Sequence, residues 1–289
     1  MRSQPIIYTV LFLLFTTAVV AQDYPATEIY MLDIHKKGKH ISADDKDSLV
    51  NVSKNKGYDN QPNFIEPLHA IAYVSSRNKT PTDVFLYDLE TGQTSQLTHT
   101  PEAEFSPKIT PDGKYISVVK GSEQNLSRIS PDGVITEKLY TSKDSIGYYC
   151  WLNENEIAAM VLSKPETLRL INIKNKTEKY WGDSIGRSMY KYKDGVVVCK
   201  TLHKGNKVVF VENGIYTTWI ALPANTEDYF LTDDGWLFSS DGSKIIYCQV
   251  KKLKKGWQTL VDMKSRGISK IFRLAVNSDK SRLAFVTAE

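Results

Sequence analysis

Hydrophobic positions in this chain fall into two regimes. From Ile6 to Val20 they form one uncharged, mostly apolar run, IIYTVLFLLFTTAVV, preceded by Arg2. From Thr27 onward they come in runs of four to eight residues, rich in β-branched and aromatic side chains. These runs alternate partly with polar residues and are separated by turn residues. That is the pattern of β-strands, and no stretch sustains the 3.6-residue apolar spacing of a helix.

The short runs repeat. One unit reads PNFIEPLHAIAYVSS and then TDVFLYDLETGQTSQLTHT; the next reads PKITPDGKYISVVKGS and then NLSRISPDGVITEKLYTS. Pro62 and Pro107 are 45 residues apart, as are Ile71 and Ile116. The turn after each unit's first strand falls at Pro67, Asp112, Glu154, Asp194, Asp234 and Asp279. A strand-like run follows every time: AIAYV, YISVV, EIAAMVL, VVVC, WLFSS and RLAFV. Third strands follow the first five of these, but the sixth unit ends before its second half. The missing pieces lie at the other end of the chain. Thr27–Ile34 supplies a third strand and Asp47–Ser53 a fourth, with His35–Lys46 as a long exposed hairpin between them.

A single four-stranded sheet cannot bury both of its faces, whereas six such sheets packed around an axis can. The expected fold is therefore all-β: a six-bladed β-propeller of four-stranded blades, closed by N-terminal strands that complete the C-terminal blade. Closure of this kind also covers strand edges that would otherwise invite pairing.

The first regime is too short for a spanning helix and right for a signal-peptide core, with Val19 and Ala21 as small residues before the cleavage point. Residues 1–21 are read as a signal peptide and 22–289 as one propeller domain, periplasmic or secreted, with no transmembrane span after cleavage. Lys and Arg number 37 against 33 Asp and Glu, a net charge of +4, which falls to +3 when Arg2 is removed. So small an excess argues against a nucleic-acid partner. Cys150, Cys199 and Cys248 each sit in an apolar run and read as buried small side chains. One disulfide and a free thiol remain open, and the odd count rules out a complete internal framework.

Ser106-Pro107-Lys108-Ile109-Thr110-Pro111-Asp112-Gly113-Lys114-Tyr115-Ile116 resembles the repeat of TolB-like, WD40-like propellers. So do Tyr73-Val74-Ser75-Ser76-Arg77, Asp83–Leu89 and Gln96-Leu97-Thr98. The likeness is good over about residues 50–120. It weakens over 140–220, where the turn becomes Leu152-Asn153-Glu154-Asn155 and Lys193-Asp194-Gly195. The resemblance implies a six-bladed propeller in the periplasm or outside the cell, of a kind that often binds proteins or peptides at the funnel end of its channel. A full TolB-like protein has a mixed α/β domain before its propeller. With about five residues between the cleavage point and the first strand, that domain is expected to be absent.

Candidate chemistry is sparse. None of the five His (His35, His40, His69, His99, His203) lies in a nucleophile motif, and there is no GxSxG. No HExxH or calcium loop suggests a metal, and no Gly-rich loop suggests a nucleotide, so neither catalytic residues nor cofactors are assigned. Asp44-Asp45-Lys46-Asp47 and Asp233-Asp234 read as solvated turns. The five Trp read as packing between sheets. Asn51, Asn78, Asn125 and Asn175 head N-x-S/T sequons, and Asp-Ser-Leu/Ile triplets begin at Asp47, Asp144 and Asp183.

The propeller geometry supplies the best site. Loops entering the first strands crowd one mouth, and five of the six carry acids: Asp59, Glu104, Asp144, Asp183, and Glu227 with Asp228. The sixth offers Arg266. This reads as an acidic rim for a basic peptide or a cation, with Tyr58, Phe105, Tyr148 and Tyr229 as aromatic contacts. The expected function is non-enzymatic binding or scaffolding of another envelope or secreted protein. The alternative is an enzyme acting on carbohydrate or peptide, with the mouth acids as general acid and base. A third reading, a subunit of a larger surface complex, predicts a large exposed apolar patch.

Overall fold

The computed structural model describes residues 24–38, 40–44, 48–77 and 81–288. The expected signal sequence lies outside them. The described chain opens with β1 (Thr27–Lys37), β2 (His40–Asp44) and a two-residue β3 (Val50–Asn51). Five four-stranded antiparallel blades follow. Blade 1 holds β4 (Tyr58–Ile65), β5 (Ala70–Ser76), β6 (Asp83–Asp88) and β7 (Thr94–Gln96). Blade 2 holds β8 (Glu104–Ile109), β9 (Ile116–Lys120), β10 (Asn125–Ile129) and β11 (Thr136–Tyr140). Blade 3 holds β12 (Ile146–Asn153), β13 (Glu156–Val161), β14 (Thr167–Asn172) and β15 (Thr177–Asp183). Blade 4 holds β16 (Ile185–Tyr192), β17 (Gly195–Leu202), β18 (Gly205–Glu212) and β19 (Ile215–Ala221). Blade 5 holds β20 (Tyr229–Leu231), β21 (Trp236–Asp241), β22 (Lys244–Gln249) and β23 (Gln258–Asp262). The last strands, β24 (Ile271–Val276) and β25 (Arg282–Ala288), join β1 to make blade 6. The first strands meet around an axis: β4 against β8, β12 against β16, β16 against β20, β20 against β24, and β24 back against β4.

The ring closes by antiparallel pairing of β1 with β25, from Thr27 opposite Ala288 to Asp33 opposite Arg282. The all-β, N-terminally closed propeller expected from the repeats is the observed fold. All six turn positions fall between the first and second strands of their blades.

One detail differs. The expected long hairpin over His35–Lys46 is instead strand on both arms. β1 runs on to Lys37 and β2 returns from His40, in register from Lys37 with His40 to Asp33 with Asp44. Only Val50 and Asn51 of the expected fourth strand pair with β1, opposite Met31 and Tyr30. The outer edge of blade 6 is thus two short strands end to end. Alternation explains it: Ile41 is buried and packs in the same core as Ile34, so the polar-looking segment carries one inward position where a strand needs it.

Period-two alternation feeds two cores from every middle strand. In β17, Val196 and Val198 pack with Ala158, Met160, Val209 and Val211 on the blade 3 side. Val197 and Cys199 pack with Tyr229, Leu237 and Cys248 on the blade 5 side. In β25, Leu283 and Phe285 face blade 5 with Trp236 and Phe238, while Ala284 and Val286 face blade 1 with Ile71 and Tyr73. β1 does the same, with Leu32 and Ile34 on one side and Ile29 and Met31 on the other. Strands buried on both faces explain why the apolar runs are near-continuous rather than strictly alternating.

The three thiols lie on strands of blades 3, 4 and 5, buried and unbridged. Burial pushes each up to about 12. None is expected to react with a thiol-specific dye at pH 8 until the protein is unfolded, when all three should titrate; a fast-reacting thiol in the native protein would contradict this packing.

Leu32 and Leu283 are fully buried register partners across the closing seam. Leu32→Ala and Leu283→Ala are each expected to cost ~2–5 kcal/mol in urea unfolding. The double variant should depart from additivity, because the two side chains share one cavity. Additive losses would show that the seam does not pack as one unit.

Candidate functional site at the channel mouth

The faces of the disc follow from topology. Thr27 opposite Ala288, and Thr27 beside Tyr58, set the start of β1, the end of β25 and the start of β4 at one level. Antiparallel alternation then places all connections into first strands on that face, the mouth. It places first-to-second and third-to-fourth turns on the other face.

The first strands wall the channel, and their ladders shift register in five blades: between Asn60 and Asn63, Phe105 and Lys108, Ile146 and Tyr148, Ile185 and Met189, and Phe272 and Leu274. Bulges of this kind re-aim side chains. Pro62 and Pro107 stand in the two best-matched copies, on the channel edge where no ladder N–H is required. Gln61 and Ser106, one repeat apart, have positive φ of 58° and 55°, and the Ser106 N–H donates to Gln61 Oε1.

A ring of polar residues lines the upper channel: Gln61, Ser106, Tyr148, Arg187, Asp228 and Arg273, one from each blade. Arg187 holds Asp228 with two hydrogen bonds, Nε to Oδ1 at 2.7 Å and Nη2 to Oδ2 at 2.6 Å, and reaches Glu227 at 3.2 Å. Desolvation opposes charge on both Arg187 and Asp228. Each ion nevertheless secures the other: the Asp228 carboxyl stays below its usual range and the Arg187 guanidinium above its own. Arg273 of blade 6 donates Nη2 to the Tyr148 hydroxyl at 2.6 Å. Blades 3 and 6 are opposite each other, so this bond spans the axis. The cavity left in the channel is about 60 Å³.

The sequence-predicted residues fall into distinct places. Asp228 and Tyr148 line the channel. Tyr229 also borders it, but is 1% exposed and donates to the Ser188 carbonyl at 3.3 Å, which makes it a packing residue. Tyr58 and Phe105 sit under Tyr24, which stacks on Tyr58 at 4.7 Å and meets Phe105 edge-on at 6.3 Å. These three form an aromatic cluster at the mouth. Burial pushes the Tyr58 hydroxyl up to about 12.

The acids do not form an open negative rim. Glu104 is fully buried, accepting from Thr98 Oγ1, from Thr100 Oγ1 at 3.1 Å and from Lys120 Nζ at 3.0 Å. It locks blade 2 to the loop leaving blade 1, where Asp83 accepts from the Thr100 N–H at 3.2 Å. Asp144 lies outward, 2.6 Å from Arg169, which also binds Glu178. Asp183 is half-exposed, 3.6 Å from Lys200. Asp59 is fully buried beneath the mouth, with Asn55 Nδ2 at 3.2 Å from Oδ2 and, among the described residues, no hydrogen-bond partner on Oδ1. Arg266 is exposed on a 3₁₀ turn (Met263–Arg266) and is not among the channel-lining residues. A basic partner beside four of these five loops' acids replaces the expected acidic field with local joints between strands and blades.

Sequence reasoning missed the basic half of the site: Arg187, Arg273 and Lys108. A signal was available. Gln61, Ser106, Tyr148, Asp228 and Arg273 each stand six residues before their blade's turn residue, and Arg187 stands seven before Asp194. Counting back from the turn, rather than scanning the connecting loops, picks out the channel ring. The Trp expectation holds where partners are visible: Trp151 donates to Ser117 of blade 2 and Trp257 to the Ala221 carbonyl of blade 4, both at 2.8 Å.

No family model matches the sequence, and no curated protein sequence matches it. Solved structures do. TolB from Acinetobacter baumannii superposes with a TM-score of 0.55 at 13% identity, covering 93% of this chain and 65% of that one. A putative TolB from Agrobacterium tumefaciens gives 0.65 at 10% identity, covering 92% and 99%. A gluconolactonase from Xanthomonas campestris gives 0.64 at 9%, covering 93% and 99%. The fold is a propeller shared with the TolB proteins and with the gluconolactonase alike. The chain spans less than two thirds of the Acinetobacter protein.

Burial pushes the Asp59 carboxyl from 3.8 up to about 6, against the opposing pull of Ser75, Asn55 and Arg77. The fold favours its neutral form. That contribution is complete below about pH 4 and is lost as pH rises through 6, a difference of ~3 kcal/mol. Asp59→Asn is therefore expected to unfold at a higher temperature than the parent at pH 7.5, with the gap closing by pH 4. A gap that does not change with pH would refute this assignment.

Proposed function

We infer that the protein is an exported binding propeller that holds a segment of another envelope or secreted protein at its channel mouth, without catalysing a reaction on it. The observation that carries this reading is the aromatic cluster of Tyr24, Tyr58 and Phe105 on the face where all six first strands begin. Tyr24 and Phe105 are partly exposed there, with Tyr58 buried beneath them, and large rigid rings provide contact area at little conformational cost. Export is supported by the apolar run Ile6–Val20 behind Arg2.

Acid–base chemistry on a glycan or peptide needs two carboxylates facing one cleft, with pKa values set apart. Among the described residues, Asp228 is the carboxylate that lines the channel cavity, and Arg187 holds it ionised. Asp59 has the raised pKa of an acid catalyst, but it is fully buried and does not line that cavity. At the channel cavity the geometry therefore favours binding over the glycan- or peptide-acting enzyme.

Photo-crosslinking residues at Phe105 on the mouth and at Lys251 on the opposite face, installed in the native host, test the reading. The same defined protein is expected from Phe105 and not from Lys251. Phe105→Ala should weaken that complex ~5- to 30-fold, the effect of removing a central aromatic contact. Crosslinking confined to Lys251, or turnover of a glycan or peptide library by the purified protein, would reverse it.

A further inference from the structure

Blade 2 puts two donors into the channel. Ser106 and Lys108 flank Pro107 on β8, and both line the central cavity. Ser106 is 6% exposed, and its Oγ is buried with no hydrogen-bond partner among the described residues. The Lys108 ammonium lies 5.7 Å from the centre of the Tyr190 ring and makes no hydrogen bond or ion pair among the described residues. Desolvation by the channel wall pulls its pKa below the ordinary lysine value, and the charge of Arg273 pushes the same way. Arg273 itself gives a donor to the Tyr148 hydroxyl.

The charge balance of this space is one-sided. Lys108, Arg187 and Arg273 line it against Asp228, which Arg187 occupies through both oxygens, and Glu227, which Arg187 also reaches at 3.2 Å, so one positive charge is in surplus. A stranded hydroxyl and two neighbouring cations in a desolvated channel are costly unless something accepts from them. The acceptor has to be anionic, because the surplus is positive. It has to be small enough to enter the cavity of about 60 Å³ left in the channel. A guanidinium fork matches the planar pair of oxygens that a carboxylate offers.

We propose that the central channel binds a carboxylate group, with Ser106 Oγ, Lys108 Nζ and the Arg273 guanidinium as its donors. This goes beyond the protein-binding reading and does not depend on it. A free small carboxylate and an acidic side chain of an inserted peptide present the same chemistry.

Thermal unfolding of the purified protein in sodium formate, sodium acetate and inorganic phosphate, each against sodium chloride at equal ionic strength, tests it. Formate and acetate are expected to raise the melting temperature in a saturable way, and phosphate is not. Lys108→Met and Ser106→Ala should each weaken the acetate response about tenfold or more. Lys108→Met should also raise the melting temperature in chloride alone, since it removes a desolvated charge. Should Lys108→Met not fold, Ser106→Ala removes one oxygen and carries the test alone. Competition with acetate by amidated Gly-Asp-Gly, but not amidated Gly-Asn-Gly, assigns the site to an inserted side chain; competition by neither assigns it to a free small carboxylate. A parent protein indifferent to both carboxylates, an acetate response unchanged in both variants, or stabilisation by phosphate beyond that by acetate overturns the proposal. The crosslinking pattern at Phe105 is independent of all three results.

Discussion

The pairing of β1 with β25 is the constraint on which everything else rests. Each blade buries its faces only against its neighbours, so a ring missing one contact exposes two apolar sheet faces at once. The seam supplies that contact with the same alternation used elsewhere: Leu32, Ile34, Leu283 and Phe285 on one side, Ile29, Met31, Ala284 and Val286 on the other. It joins residues separated by almost the whole chain, so its loop-closure entropy is large. Once formed, it fixes the six first strands around one axis, and only then do the channel residues of blades 3 and 6 come within a hydrogen bond of each other.

Charge in this molecule is spent chiefly on joints. Glu104 and Asp83 tie blade 1 to blade 2, Arg187 and Asp228 tie blade 4 to blade 5, and Arg169 gathers Asp144 and Glu178 within blade 3. Desolvated pairs of this kind orient one element on the next more than they stabilise it. What remains for recognition is aromatic surface at the mouth and, deeper, a small set of positive donors. A mouth that looks acidic in the linear chain is close to neutral once each loop is seated.

The architecture was legible because blade geometry is written locally. Turn residues such as Asp112-Gly113 and strand runs such as VVVC and RLAFV recur at a nearly constant interval, and the absence of a third strand after RLAFV pointed to TEIYMLDI as its completion. The split outer edge of blade 6 was hidden because Ile41 is the one large apolar side chain in HKKGKHISADD, and a single buried Ile41 cannot be told from a solvated loop by periodicity. The site was less legible for a different reason. Sequence gives the segment on which an acid lies but not the cation that folding brings beside it: Arg169 and Lys120 lie in later strands of the same blade, Lys200 lies in the blade after Asp183, and Arg187 precedes its partners by a whole blade. Burial likewise separates Asp59 from Asp144, although both read as loop acids.

Thr27 and Ala288 stand side by side at the level where the first strands begin, so both ends of the described polypeptide leave from one side of the disc. Anything joined to either end shares that side with the channel opening. Both ends thus lie on the side of the aromatic cluster, opposite the lysine-rich connections from third to fourth strands, beside Lys36–Lys37 and at Lys251–Lys255. For such a particle, geometry of attachment and geometry of recognition are a single variable.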